Sequence, residues 1–142
     1  MLKYSYIVVL VAIIISTFSC GGNPTNNSPK FQQYYIQGEI LYKENCSNCH
    51  QANGKGLGKL YPPINQSDFM DNQFEEVICI IKYGRSGPLV VNGVEFNMEM
   101  KGNPQLTELE VAEIATFLYN SWSKEKGLLD VKQVSEILAA CD

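Results

Sequence analysis

One short motif constrains this chain more than any other feature of its sequence. Cys46-Ser47-Asn48-Cys49-His50 places two thiols three residues apart and a histidine directly after the second thiol. That spacing lets both thiols bond the two vinyl groups on one side of a porphyrin, and it sets the histidine beneath the iron as an axial ligand. The motif therefore predicts covalent attachment of one c-type haem through Cys46, Cys49 and His50.

Two other chemistries use a Cys-x-x-Cys pair, and the rest of the sequence favours neither. A zinc site needs a second pair of ligands, whereas the remaining cysteines, Cys20, Cys79 and Cys141, are widely scattered. A thioredoxin-like redox pair expects a preceding strand in a βαβ context. The residues before Cys46 instead have helical spacing, so haem attachment remains the prediction.

The second axial position of the iron is restricted by composition. His50 is the only histidine of the chain, so another histidine is excluded. A methionine thioether is the common alternative in electron carriers. Met98 and Met100 lie two residues apart in a polar segment, and their spacing alone does not decide between them. The other interpretation is that both fill gaps in a core.

The first residues have the pattern of an export signal. Lys3 precedes an unbroken apolar run over residues 7–15, which is shorter than the roughly 20 residues of a membrane-spanning helix. We interpret residues 1–19 as a signal peptide of the lipoprotein type, with Cys20 as the lipidated residue and residues 20–32 as a flexible tether. The alternatives are cleavage near Ser19 that leaves Cys20 as a free thiol, and an uncleaved anchor. This pattern predicts a membrane-anchored lipoprotein on the periplasmic side of a bacterial cell envelope.

Residues 33–142 are predicted to form one mainly helical domain. The whole chain of 142 residues has a formal net charge of −4, which argues against nucleic acid as a partner. Helices are expected over residues 35–45 (Ile36, Ile40 and Leu41 sharing a face), over 71–83, from Thr107 with a capping box to Glu110, and over 130–140. A hairpin is expected over residues 89–96, closed by Asn-Gly, and a loop over 46–58.

These motifs together resemble the class I cytochromes c, especially small bacterial ones. The resemblance covers about residues 33–122. It rests on Gly38 and Tyr42 ahead of Cys46, on the Cys-x-x-Cys-His motif, and on Ile114 with Phe117 in the last main helix. It implies an all-α cytochrome c fold, with helices wrapped around one covalent haem and a small β-hairpin before the axial methionine.

The resemblance also implies roles for individual residues. The carbonyl of Pro62 is expected to accept the other ring N–H of His50, and Met100 is expected to be the sixth ligand with Met98 as its neighbour. In many members of the family a proline follows this methionine directly, whereas here Lys101-Gly102 follows it.

Cys79 and Cys141 are left over, and in an oxidising compartment such a pair often forms a disulfide. The alternative is two buried, inert thiols. Arg85 lies in a glycine-rich turn. A contact with a haem propionate is one interpretation of this arginine, but a solvated side chain is the favoured one.

The implied function is electron transfer, without enzymatic chemistry, between membrane-associated redox proteins such as an oxidase, a dehydrogenase or a quinol-oxidising complex. The alternatives are a peroxidase-like haem enzyme subunit and a gas or redox sensor with a labile sixth ligand. Both alternatives need an open sixth site, and a peroxidase would also need a distal acid–base group.

Overall fold

The computed structural model describes residues 28–141. The predicted signal peptide, Cys20 and most of the predicted tether lie outside these residues. Within them, no helix combines the length and the apolar character needed to cross a membrane. The elements, in chain order, are α1 Pro29–Asn45, α2 Ser47–His50, α3 Asp68–Asn72, α4 Phe74–Tyr83, β1 Gly84–Arg85, β2 Leu89–Val91, β3 Val94–Phe96, β4 Met100–Lys101, α5 Glu108–Trp122 and α6 Val131–Leu138.

Helix α1 begins six residues earlier than the predicted start at residue 35. The hydroxyl of Ser28 accepts a hydrogen bond from the backbone N–H of Phe31, and Pro29 occupies the first helical position, where its missing N–H costs nothing. Residues 29–32, which were assigned to the tether, are therefore helical, and Phe31 is buried.

The buried face of α1 also differs from the predicted one. Ile36 and Ile40 are exposed, whereas the buried positions are Phe31, Tyr34, Gly38, Leu41 and Tyr42. The reason is that Gly38 faces α5. An added Cβ at Gly38 would lie 2.0 Å from the carbonyl oxygen of Glu113 and 2.9 Å from the Cβ of Phe117.

Helix α5 provides the centre of the core. Its start is the predicted capping box, in which Thr107 Oγ1 accepts from the N–H of Glu110 and the Glu110 carboxylate accepts from the N–H of Thr107. Its residues from Val111 to Tyr119 are all buried. Packing against α1 on one side and against α4 and α6 on the others accounts for this burial.

The single helix predicted over residues 71–83 is two helices, α3 and α4, interrupted at Gln73. Gln73 has φ −125° and ψ 52°, which is outside the helical region. The interruption frees the carbonyl of Met70, which accepts a 3.0 Å hydrogen bond from the hydroxyl of Tyr119 in α5. A contact with a distant element thus decides where this helix is broken.

The predicted hairpin is formed by β2 and β3, with Val91 paired to Val94 across the turn. Asn92 and Gly93 both have positive φ, as a type I′ turn requires. A second pair of short strands, β1 and β4, was not predicted. It aligns Gly84 with Lys101 and Arg85 with Met100 in antiparallel register.

Helix α6 follows the predicted residues 130–140 closely, with Asp130 as its N-cap. Val134 and Leu138 on its inner face are buried. Just beyond the helix, Cys141 is joined to Cys79 of α4 by a disulfide bond that spans 62 residues of sequence. The C-terminal segment is thereby held against the middle of the domain.

Candidate haem site

The attachment motif is folded as one helical turn rather than as the expected loop. The N–H of Cys49 and the N–H of His50 donate to the carbonyl of Cys46, at 3.2 and 3.0 Å. This turn, α2, directs all three residues of the motif toward one cavity, which they line together. The positive φ of Gln51 ends the turn directly after His50.

The ring of His50 is held by a backbone carbonyl. Its Nδ1–H donates to the carbonyl oxygen of Pro62 at 3.0 Å. This bond places the proton on Nδ1 and leaves the Nε2 lone pair as the donor that an iron atom would use. Burial lowers the pKa of His50, against the opposing effect of the Pro62 bond, so the ring is kept in the neutral form that binds metals.

The position of the segment that contains Pro62 requires a glycine at residue 56. An added Cβ at Gly56 would lie 2.3 Å from the carbonyl oxygen of Tyr61 and 2.6 Å from that of Pro62. Gly56 also has φ +67°, a conformation that residues with a side chain rarely adopt. Its N–H donates to the carbonyl of His50 at 2.9 Å. The glycine-rich segment therefore closes the loop tightly behind the histidine.

The two candidate methionines occupy different environments. The cavity beside the motif has a volume of about 450 Å³, and both Met98 and Met100 line it. A smaller apolar cavity of about 80 Å³ adjoins it and is lined by His50, Pro62 and Met100, but not by Met98. Met98 is 48% exposed. Met100 is thus the half-buried methionine that lines both cavities together with His50.

Arg85 is not the solvated turn residue that the sequence favoured. Its guanidinium donates to Glu76 and, at 3.5 Å, to the carbonyl of Pro88, and the residue lines the larger cavity. Its Nε is buried without a partner, and among residues 28–141 it is the only buried side-chain nitrogen or oxygen in that condition. An arginine at the wall of the cavity suits an anionic group.

These residues fit a covalent haem. The volume lies within the roughly 300–1,000 Å³ typical of ligand and cofactor sites. Two unpaired thiols, a neutral imidazole, a thioether and an arginine all line one cavity. They correspond to what a haem with two vinyl groups, an iron and carboxylate side chains would bond.

The thiol chemistry also separates this site from a redox-active thiol pair. Burial, with a smaller effect of Cys49, raises the pKa of Cys46 to about 12. Reactive disulfide-exchange cysteines have lowered pKa values that keep a thiolate at neutral pH. Cys46 has the opposite character, so a thioredoxin-like role is disfavoured by electrostatics as well as by the surrounding helices.

The helices around the cavity and the donors that line it define a haem-binding, c-type electron-transfer domain. The family model of cytochrome c matches residues 35–122. The chain therefore belongs to the cytochrome c family, and its cofactor is a covalently bound haem c with its iron. The all-α fold expected from the resemblance is confirmed, with short strand pairs as its only other regular structure in residues 28–141.

Curated relatives agree with the family match. The chain is similar to cytochrome c-552 of Thermus thermophilus, with 28% identity over 99 residues, which is 67% of this chain and 75% of the relative. A second sequence of that name, from a particular strain of the same species, is also 28% identical over 99 residues and is covered to 66% of its length. Electron transfer by a c-type haem is thus the general function.

The structure brings together the predicted residues of the site from three distant segments. Cys46, Cys49 and His50 meet Pro62 and Met100 around the cavity, whereas Cys79 and Cys141 lie apart from it. Ile80, Leu89 and Phe96 also line the cavity, and the sequence did not predict this role for them. Nothing in their local pattern distinguishes a cofactor wall from an ordinary core.

Proposed function

We propose that this chain is a single-electron carrier whose haem iron is bound by His50 and Met100. The observation that carries the proposal is that Met100 lines both adjoining cavities with His50, whereas Met98 lines only the larger one and is about half exposed. When bound, the haem supplies an iron that accepts or releases one electron.

The chain's own residues would keep that site unchanged between the two oxidation states. The Pro62 carbonyl orients the imidazole. The apolar side chains of Ile80 and Leu89 line both cavities and exclude water. The guanidinium of Arg85, a residue that lines the larger cavity, would lie near a haem propionate. A dry site with fixed ligands suits electron transfer because little has to rearrange when the charge of the iron changes.

The test is the optical spectrum of the oxidised, haem-loaded protein beside Met100→Ala and its matched control, Met98→Ala. A weak far-red methionine-to-iron band is expected in the wild type and in Met98→Ala, and its loss is expected in Met100→Ala alone. Loss in Met98→Ala alone would transfer the ligand role to Met98. A high-spin wild-type spectrum without the band would contradict the carrier.

The same samples separate the carrier from an enzyme or sensor. Both alternatives need a sixth position that small ligands can reach. The only histidine of the chain is the proposed fifth ligand, so no histidine remains for acid–base chemistry at that position. We expect the reduced wild type not to bind carbon monoxide at neutral pH, whereas Met100→Ala should bind it. Rapid binding by the wild type would favour a peroxidase-like enzyme or a sensor.

We also propose that Cys20 carries a lipid that anchors the domain to a membrane on the periplasmic side of a bacterial cell envelope. Support comes from the sequence pattern: a lysine, a short apolar run, and a small residue before Cys20. Membrane redox proteins would then be the partners, in brief encounters of small buried area. Fatty-acid labelling of the expressing cells should mark the wild type and leave Cys20→Ala unlabelled, and an unlabelled wild type would contradict the anchor.

A further inference from the structure

The segment that carries Met100 has nothing in its own sequence to stiffen it. Lys101 and Gly102 follow the methionine directly, and neither restricts the backbone as proline would. A sixth ligand on such a loop would dissociate often unless distant residues held it. We call residues 97–106, which include Met100, the methionine loop. Four residues make contacts that hold this loop: two lie at or just beyond the C-terminal end of α4, and two lie in the loop itself.

Close backbone packing is the first set of contacts. Strand β1 pairs with β4, so Arg85 lies opposite Met100. An added Cβ at Gly102 would lie 2.4 Å from the carbonyl carbon of Tyr83, and one at Gly84 would lie 2.5 Å from the carbonyl oxygen of Met100. The two backbones therefore touch at a distance that only glycine allows, immediately beside the ligand.

Hydrogen bonds to the end of α4 are the second set. The last carbonyls of a helix have no partner within the helix. Here Asn103 satisfies two of them: its Nδ2 donates to Ile81 O at 3.1 Å and its backbone N–H donates to Lys82 O at 3.0 Å. In return, the ammonium of Lys82 donates to the carbonyls of Pro104 (2.9 Å) and Leu106.

We propose that the contact between the end of α4 and the loop after Met100 is a positioning element that holds Met100 on the haem iron. We call Lys82, Gly84, Gly102 and Asn103 the α4 clamp. The clamp acts through the loop backbone and does not itself contact the iron. It rests on the proposed role of Met100 as the sixth ligand, and it assigns to Lys82 and Gly102 a function in ligand retention beyond folding.

The experiment measures how fast excess imidazole replaces the sixth ligand of the oxidised, haem-loaded protein, followed by loss of the far-red methionine band. Lys82→Met removes both side-chain hydrogen bonds at nearly constant length. Gly102→Ala forces β4 away from Tyr83 while its backbone angles stay accessible to alanine. In both variants the exchange rate should rise about tenfold, the effect expected from losing one or two hydrogen bonds or close contacts.

Three controls separate ligand retention from general loosening. Lys82→Arg keeps a charged donor and should restore slow exchange. Lys59→Met removes a charge from an exposed lysine outside the loop. Gly93→Ala adds a Cβ that meets nothing within 4 Å, at a residue with φ +74°, so it strains the backbone away from the clamp. Each control should exchange within about twofold of the wild type, because Lys82→Arg keeps a donor to the loop carbonyls and the other two substitutions leave the clamp contacts unchanged.

The outcomes distinguish this proposal from the one on which it rests. If Met100→Ala loses the band but Lys82→Met and Gly102→Ala exchange at the wild-type rate, the clamp is wrong and the ligand assignment stands. Exchange by Gly93→Ala as fast as by Gly102→Ala also overturns the clamp. If Met100→Ala keeps the band, both proposals fail. If Gly102→Ala does not fold, the comparison of imidazole exchange rates between Lys82→Met and Lys82→Arg still tests the clamp.

Discussion

Glu113 is a carboxylic acid placed where water has little access. Glu113 is 5% exposed. It lines a groove between α1 and α5 together with the amides Gln33 and Gln37 and the acid Glu110. Burial, and then the charge of Glu110, raises the pKa of Glu113. Because the folded state binds its proton more tightly than the unfolded state does, this residue makes stability fall as pH rises from its ordinary pKa through the raised one.

We therefore predict that Glu113→Gln stabilises the domain at pH 7. The gain should shrink as pH is lowered toward the ordinary pKa of glutamate, where the wild-type carboxyl becomes neutral. Denaturant unfolding of both proteins across this pH range measures it. Glu110→Gln is the control of opposite sign, since hydrogen bonds from Thr107 lower the pKa of Glu110 and its charge is stabilising. An equal gain in both variants would contradict the argument.

Packing between elements depends on where α1 crosses α5. Glycine inside a helix usually weakens it by about 1 kcal/mol relative to alanine. At Gly38 this cost is offset because the missing side chain lets α1 lie directly on the backbone of Glu113 and against Phe117. The ring of Tyr42, one turn later, packs 5.6 Å from that of Phe117.

Gly38→Ala should lower the free energy of unfolding by about 1–3 kcal/mol, the usual range for overpacking a well-filled contact. The gain in helix propensity is smaller than this loss. The matched control is Gln37→Ala, an exposed neighbour on the same helix, whose effect should stay within about 0.5 kcal/mol. Thermal and denaturant unfolding of the haem-loaded variants provide the measurement, and a Gly38→Ala protein as stable as the wild type would show that the helices can separate freely.

The start of α5 is a second feature at the scale of an element. The capping box satisfies N–H groups that the first helical turn leaves without partners. Thr107→Ala should lower the free energy of unfolding by about 1 kcal/mol. Thr107→Ser keeps the hydroxyl and should recover most of that loss. Equal destabilisation by both substitutions would assign the effect to the threonine methyl group rather than to the cap.

The domain as a whole is closed by contacts between its middle and its C-terminus. The Cys79–Cys141 disulfide ties α4 to the end of α6. Helix α4 in turn contributes Ile80 to the cavity wall and Lys82 to the clamp. The bond therefore restrains, at a distance, the helix on which the methionine loop rests, although Cys141 lies far from the haem site in sequence.

The double variant Cys79→Ala/Cys141→Ala should lose roughly 3–4 kcal/mol of stability, since the bond closes a loop of 62 residues. A thiol reductant should shift the unfolding midpoint of the wild type toward that of the variant and leave the variant itself unchanged. Both proteins are compared with reduced iron, so the reductant changes only the disulfide. A midpoint that the reductant does not move would contradict a stabilising bond.

Features that depend on neighbouring residues can be predicted from the sequence alone. The Cys-x-x-Cys-His spacing, the capping box at Thr107, the Asn-Gly turn and the Asp130 cap each involve groups only a few residues apart, so their chemistry is readable without coordinates. The Cys-x-x-Cys-His motif predicts the covalent haem, and the family resemblance added the all-α cytochrome c fold. These predictions are confirmed by the family match and by the helices and the hairpin.

Features that depend on residues far apart in the chain are established only when the chain is folded. Ile36 and Ile40 are exposed because Gly38 faces α5, and helix 71–83 is broken where Tyr119 binds the carbonyl of Met70. The guanidinium of Arg85 is only partly exposed because it donates to Glu76, a residue of another element. In each case the deciding partner lies on another element. A local sequence pattern predicts which contacts a residue is able to make. Its burial and its partners on other elements decide which of those contacts it makes in the folded protein.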